Sequence, residues 1–504
     1  MTPARRDGLG LAAILLLAAA VRFVGLPGRG EWDDDQGSEL ITLLHWVRDG
    51  QVPLLGPQSS FGTAHHGVAY YWVLAPSAFL SDVNPVAIVA TVALVGTAGV
   101  AATWWLGRAA GGPMPGHVAA LLMALSPSAI STSTFLWNAN IVGPFAALAA
   151  ASGWHAWRTR QPGWWLLTTG ATVLVVHAHL LAVLAVPPLA ALFVADMLRR
   201  PGTRLQSVVV VLAGATLIIG VSLIPVVVQE LRTDFAETRG VISYLAAAGP
   251  GAHESALAPI FAAPVVAWRV LAWPVAGNVA SAPLSGLPTV FVTIVALTIA
   301  AIATQGIARQ FGRWAVLTTV WAIAALTLLA PSLAVIHPGL PRDQYHSWLD
   351  PIVFTAIAIG VAWMWSARSM LVRTAAATVI VVCAVPSILV MPSFERSGGG
   401  WPVAAEAAET IRPALGDEPT AVTGVYKSGG AIEFPLRRSG AAIVDASRAR
   451  FLVVTCDPLF ENAVGLACGG PAEAAQAQLV GFPAKDGSCF VNGPRREVCI
   501  FTRR

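Results

Sequence analysis

Apolar runs, each near the length of a membrane-spanning helix, recur along this chain and leave room for little except a polytopic membrane protein. A spanning helix needs about 20 mostly apolar residues. Eleven runs qualify: 8–26, 85–107, 116–135, 140–157, 164–180, 181–198, 206–228, 288–306, 313–331, 350–366 and 371–391. The stretch 164–198 is one long run that splits into two short helices at His177-Ala178-His179. Only 12% of the residues are charged, about half the share of a soluble domain. Many tryptophans, among them Trp104, Trp105, Trp164, Trp165, Trp314 and Trp363, lie at the ends of the runs, where an amphipathic ring is stabilised at headgroup depth.

Charge sets the direction of the chain. With Arg5 and Arg6 in the cytoplasm, the inner connections hold Arg108, then Arg158 and Arg160, then Arg199, Arg200 and Arg204, then Arg309 and Arg313, then Arg368 and Arg373. Every inner connection is short and basic, and the longer outer segments 27–84, 229–287, 332–349 and the tail hold nearly all the acids. The pattern implies an odd number of spans, a cytoplasmic N-terminus and an extracytoplasmic C-terminus. The net charge of +4 does not point to nucleic acid, because the basic residues sit between apolar runs and form no basic face. No Walker loop or dinucleotide fingerprint is present. The first run lacks a small-residue cleavage site, since Arg22 and Phe23 precede Gly25-Leu26-Pro27, and reads as a retained span.

Composition changes after Met391. The segment 395–400 reads as a linker, 402–415 as an amphipathic helix, and 420–425, 441–444, 451–455 and 497–502 as short strands. The division expected is a transmembrane domain at 1–391 and an extracytoplasmic α/β domain at 392–504. Cys456, Cys468, Cys489 and Cys499 fall in the second, which is consistent with two disulfides outside the cell. Local pairing, Cys456–Cys468 and Cys489–Cys499, is the simplest of three connectivities. Zinc is the competing reading, but the spacing has no C-x-x-C knuckle.

The first outer loop, 27–84, carries the richest chemistry. Asp33, Asp34 and Asp35 precede a stretch, 38–48, with the helical spacing of a surface-lying helix (Leu40, Leu43, Leu44, Val47). His65-His66-Gly67 then leads into Tyr70-Tyr71-Trp72. Acids at a helix start suit its dipole. A carboxylate held at the membrane surface is equally the group needed to deprotonate an attacking hydroxyl.

These residues resemble the GT-C superfamily of membrane glycosyltransferases, in particular the protein O-mannosyltransferases of family 39 and the lipid A aminoarabinose transferases. Asp35-Gln36-Gly37 stands where that group has Asp-Glu, and His65 to Trp72 is similar to its run ending in Tyr-Tyr. Gln36 replaces the usual Glu, so the second acid is missing unless Asp34 supplies it. The general layout covers residues 1 to about 391 and the sharp motif about 31–76; the tail adds nothing to it. The resemblance implies an all-α polytopic fold of about 11 transmembrane helices in the cell membrane. It also implies inverting transfer of a sugar from a polyprenyl-phosphate donor to a glycan, lipid or protein hydroxyl at the outer face. Asp35 is the preferred base and Asp34 the alternative. His65, His66, Arg342, Tyr345 and His346 are expected at the donor phosphate or sugar, Glu230 or Asp234 as an acceptor contact or second acid, and Tyr70 and Tyr71 along a lipid groove. Trp268 and Trp273 are expected at a groove or at the interface. The scheme demands no cofactor, and a divalent-metal variant using the acidic triplet stays open. His177 and His179, two apart, do not share a helix face, which argues against a paired metal site.

The rival class is a lipid or sugar transporter or flippase without catalysis. Such proteins carry broken or polar helices near the midplane, often in repeated halves. Here the acids lie in outer loops and no repeat is visible, which favours an enzyme.

Overall fold

The computed structural model describes residues 2–59, 64–199, 205–247, 258–276, 294–295, 297–299, 301–302, 305, 308–329, 344–389, 400–426, 428–458, 461–483, 487–491 and 497–503. The expected helix 1 is α1 (Pro3–Phe23), opened by Thr2, whose hydroxyl accepts from the Arg5 N–H. The first outer loop then contributes α2 (Asp34–Asp49) and α3 (Ala69–Ser81). The bundle continues with α4 (Pro85–Gly111), α5 (Pro113–Leu125), the short α6 (Pro127–Ser131), α7 (Val142–Thr159), α8 (Trp164–Ala178) and α9 (Val186–Leu198). After these come α10 (Leu205–Arg232), α11 (Ala236–Ala247), α12 (Ala258–Ala276), α13 (Arg309–Leu329), α14 (Asp350–Trp365) and α15 (Met370–Leu389). Among the described residues, four helical segments are long and apolar enough to cross a membrane: Pro85–Gly111, Leu180–Leu198, Gln206–Arg232 and Arg309–Leu329. Others, such as Pro113–Leu125 and Asp350–Trp365, are apolar but shorter. The centre of the bundle is α4 packed on α5 and α7, with α14 against α5 and α8 against α7. By contrast α10 lies at the edge, packed mainly on α8, with Val210, Leu217 and Ile224 among its exposed residues.

The structure differs from the sequence reading at identifiable residues. The run 116–135 does not form one helix, because Pro127 has no N–H to continue the ladder and α5 stops at Leu125. The break leaves the Met123 and Ala124 carbonyls without their helical partners, and the fully buried Arg22 supplies donors instead. Its Nη2 donates to Met123 O (3.2 Å), its Nη1 to Ala124 O (3.0 Å) and its Nε to the Ser133 hydroxyl (3.2 Å). The split at His177–His179 is present: α8 ends at Ala178, His179 is extended, and a tight turn over Leu180–Ala185 leads into α9. The segment 258–276, read as outer loop, is helical, and Trp268 and Trp273 are buried rather than set along a groove or an interface. That helix packs on α6, α13 and α15. The expected span 288–306 lies largely outside the described residues.

The tail builds a helix, α16 (Gly400–Leu415), and a four-stranded sheet of β1 (Thr420–Gly424), β2 (Phe451–Cys456), β3 (Ser488–Val491) and β4 (Glu497–Thr502), in the order β1-β2-β4-β3. β1 and β2 are parallel, joined through α17 (Gly430–Arg438), and β4 runs antiparallel to both of its neighbours. Two further helices, α18 (Glu461–Val464) and α19 (Pro471–Leu479), lie between β2 and β3. The expected strand 441–444 contributes only a single bridge, Ile443 to Thr420. Both disulfides take the local pairing, Cys456–Cys468 and Cys489–Cys499, the second joining partners opposite each other on β3 and β4.

This sheet unit is seated on the first outer loop. Trp32, almost wholly buried, meets Trp401 edge to face at 4.7 Å and Phe434 at 6.0 Å, and its Nε1–H donates to Ala431 O (2.9 Å). Gly37 on α2 lies directly against the Gly430 backbone, where any Cβ would overlap the main chain. Removing a buried aromatic of this kind costs about 3–5 kcal/mol. Trp32→Ala is therefore expected to lower the unfolding temperature in detergent and to speed proteolysis of the segment before α16; a melting curve unchanged from wild type would refute this role.

Candidate functional site

The site grows from the first turn of α2. Asp33 caps the helix: its Oδ1 accepts from the Asp35 N–H (3.0 Å), while Gln36 Oε1 accepts from the Asp33 N–H (2.9 Å). This reciprocal cap satisfies donors that a helix start leaves open. Gln36 is buried, and its Nε2–H donates to Leu136 O (2.9 Å). A glutamate here would set a carboxylate against that carbonyl with nothing to donate. The substitution that looked like a lost acid in the sequence is thus a bond between α2 and the turn at 135–138.

The three aspartates have separate tasks. Asp33 is the cap. Asp34 Oδ1 accepts from the Gly430 N–H (2.6 Å) at the start of α17, where a negative charge suits the helix dipole. Asp35 is exposed. One turn further along, on the same face as Asp35, Glu39 is 3% exposed. It accepts from the Tyr70 hydroxyl (2.6 Å) and from the Asn138 backbone N–H. Burial, together with the nearby Asp35 and Asp33 charges, holds its pKa well above the ordinary carboxylate range against the opposing pull of those hydrogen bonds. Sequence reasoning passed over Glu39; the signal was an acid on the buried stripe shared by Leu40, Leu43 and Leu44.

Tyr70 and Tyr71, expected along a lipid groove, are instead buried between α2 and α3, where Tyr71 meets Thr42. Burial and the Glu39 charge raise the pKa of both phenols.

A hairpin carries the histidines in. Gly56 N–H donates to His66 O (2.9 Å), and His66 N–H to Pro57 O (2.8 Å). His65 then turns to α11: its N–H donates to Glu237 Oε2 (2.8 Å), and its Nδ1 lies 3.0 Å from Glu237 Oε1. His66 points the other way, into the break between α8 and α9. Its Nδ1 accepts from the Leu180 N–H (3.3 Å), which leaves Nε2 to carry the ring proton. Its ring lies 5.2 Å from that of His179, which meets Tyr345 edge to face at 5.5 Å. Burial first, then His179 and His65, push the His66 pKa down to about 3. His66 therefore acts at neutral pH as a neutral N–H donor, not as a cation. Gly67 is required beside it, because a Cβ there would overlap the His177 ring, and Gly67 N–H donates to His177 O (2.9 Å). Asn138 closes the same region through its Nδ2–H to Ala178 O (2.5 Å).

A chain of contacts thus runs from Asp35 and Glu39 through Tyr70 and Asn138 to Ala178, beside which His179 meets His66 and Tyr345, near the starts of α2 and α3 and the end of α8. His346 is buried one turn from Asp350, its Nδ1 3.1 Å from Oδ1. Glu230 and Asp234 serve local ends instead. Glu230 Oε1 accepts from the Thr238 N–H and hydroxyl at the start of α11, and Asp234 pairs with Arg239 (2.7 Å) in the open. Arg342 lies outside the described residues. Among the described residues, the one group with three metal-ligating side chains is Cys456, Cys468 and Glu473, and there the sulfurs are already joined in a disulfide.

The sequence profile of the family described as dolichyl-phosphate-mannose-protein mannosyltransferase matches residues 65–228. The structure of ArnT from Cupriavidus metallidurans in the apo state superposes with a TM-score of 0.59 at 13% identity, covering 99% of this chain and 98% of that one. ArnT bound to undecaprenyl phosphate gives the same values. The chain shares the fold of these ArnT structures. A weaker likeness, TM-score 0.49 at 11% identity over 90% of this chain and 68% of that one, is to the Archaeoglobus fulgidus oligosaccharyltransferase. No curated protein is significantly similar in sequence.

The buried bridge at Gln36 gives a direct test. Gln36→Glu is expected to destabilise the protein by about 1–3 kcal/mol, the cost of a buried polar group set against a like partner. The fall in unfolding temperature in detergent should be larger near neutral pH than near pH 4, where the introduced acid takes up a proton and donates to Leu136 O. A pH-independent loss would refute the account.

Proposed function

We propose that the chain is an inverting glycosyltransferase that moves a sugar from a polyprenyl-phosphate carrier to an acceptor hydroxyl at the outer membrane surface, with Asp35 as the base. One observation supports the choice of base: Asp35 is the exposed acid of the triplet and lies one helical turn from the buried Glu39, whereas Asp34 is drawn to the Gly430 N–H. The GT-C fold supports the reaction class, and the undecaprenyl phosphate held by ArnT suggests the carrier. The topology that goes with this reading has the N-terminus in the cytoplasm, residues 1–391 in the membrane, and the α/β domain 392–504 outside, where disulfides are stable.

In this mechanism the acceptor oxygen attacks the sugar C1 as the bond from C1 to the phosphate oxygen breaks. The acceptor proton goes to the Asp35 carboxylate, and the polyprenyl phosphate leaves with the bonding pair. The departing phosphate needs donors more than an acid. His66 Nε2–H and the Tyr345 hydroxyl are the described candidates, and Arg342 and His346 complete the proposed set. His65 belongs to the wall, tied to Glu237. The nature of the sugar and the acceptor is left to a substrate panel of glycans, lipids and peptides.

Transfer by the purified chain in detergent, from a panel of polyprenyl-phosphate sugars, tests the reading. Asp35→Asn is expected to cut turnover by about 10²–10⁴, the usual share of a general base. Asp34→Asn keeps an oxygen for the Gly430 N–H, so it should lower thermal stability more than it lowers turnover. A reversed order would make Asp34 the base. Lipid flipping without transfer or donor hydrolysis would replace the enzyme with a transporter.

A further inference from the structure

Glu39 is not used in the scheme above, yet it is the most constrained acid in the site. Its carboxyl is buried one helical turn from Asp35, and its bonds are to the Tyr70 hydroxyl and the Asn138 N–H. Among the described residues it has no cationic partner. The charged groups on α2 that face it, Asp35 and Asp33, are both acids. From α3 it meets Tyr70 and Tyr71, which are phenols. The arginines of α17 are turned to other work: Arg437 pairs with Glu433 (2.6 Å), and Arg438 donates to Asp82 O (3.3 Å). From the turn at 136–138 the Asn138 backbone N–H reaches Glu39, and the Asn138 side-chain amide is bound to Ala178 O.

An ionised carboxylate so placed would be a buried negative charge one helical turn from Asp35, the proposed base that must lie beside the sugar C1 and its phosphate. An isolated charge of this kind is strongly disfavoured. We propose that Glu39 is a positioning acid whose retained proton keeps the donor site free of a second negative charge, so that its ionisation ejects the phosphate-bearing lipid. The inference rests on the lipid-phosphate donor of the proposed function and adds the condition under which that donor binds. In the protonated form Glu39 still accepts from Tyr70 and Asn138, so it fixes the angle of α2 and with it Asp35. In the ionised form the repulsion acts on the donor's phosphate more than on the chemical step. The effect therefore falls on the donor KM more than on kcat.

The sign of the pH dependence follows from linkage. A carboxyl whose pKa is raised in the folded protein stabilises the fold below its unfolded value, and this contribution is lost as pH rises through the folded value. Both stability and donor affinity are expected to fall in the alkaline direction.

The test uses the full chain in detergent with undecaprenyl phosphate as probe, its affinity measured from about pH 6 to about pH 10. Wild-type affinity should fall by roughly tenfold per pH unit beyond the Glu39 midpoint. Glu39→Gln, which keeps an acceptor for Tyr70, should hold its affinity across the range. Tyr70→Phe removes a donor that favours the anion, so its midpoint should move upward; this variant serves if Glu39→Gln does not fold. Parallel curves for wild type and Glu39→Gln, or an unmoved midpoint in Tyr70→Phe, would overturn the inference, while the Asp35→Asn transfer result would stand. Absence of binding by wild type at every pH would overturn it together with the lipid-phosphate donor.

Discussion

The first two turns of α2 are where three parts of the molecule meet, and their hydrogen bonds hold them in register. Gln36 ties it to the turn at 135–138, Asp34 ties it to the start of α17, and Glu39 ties it to α3 through Tyr70. Each bond uses a group that a helix start leaves open or one that burial would otherwise leave unpaired. Asp35 is thereby held on a rigid element braced from several sides. A side chain on a free loop would wander; one on a braced helix keeps its position.

The break between α8 and α9 does comparable work on the other side. Gly67 lets the hairpin strand approach His177, and the interrupted helix leaves the Leu180 N–H to meet His66. An ordinary continuous helix would have spent that N–H on its own ladder. The result is a neutral histidine pair in a water-poor setting, suited to donating hydrogen bonds without bringing a permanent charge into the membrane surface.

Much of this was legible in the sequence because its physics is local. Apolar runs, the basic clusters between them, the acidic start of α2 and the His65 to Trp72 segment all announce themselves within a few residues. The split at His177–His179 was visible for the same reason, since a span has a fixed length. What was not legible depends on partners far away. Nothing near Gln36 reveals Leu136, nothing near Asp34 reveals Gly430, and Glu39 looks like any surface acid until Tyr70 is placed over it. The helix α12, which contains Pro264 and Pro274, falls in the segment 229–287 that was read as an outer loop, and its packing on α6, α13 and α15 had no local signal. The strand expected at 441–444 failed because a short β-branched run has no meaning without a neighbour to pair with along its length.

The pairing of Asp34 with Gly430 spans 396 positions, and that of Trp32 with Ala431 spans 399. The partners of such contacts leave the ribosome far apart in time. Chains emerge at about 5–20 residues per second, so α2 is made roughly 20–80 seconds before the residues that steady it. The acidic turn is therefore made long before the residues that hold it in place. Until the α17 segment is made, the first turn of α2 lacks the partners that steady it.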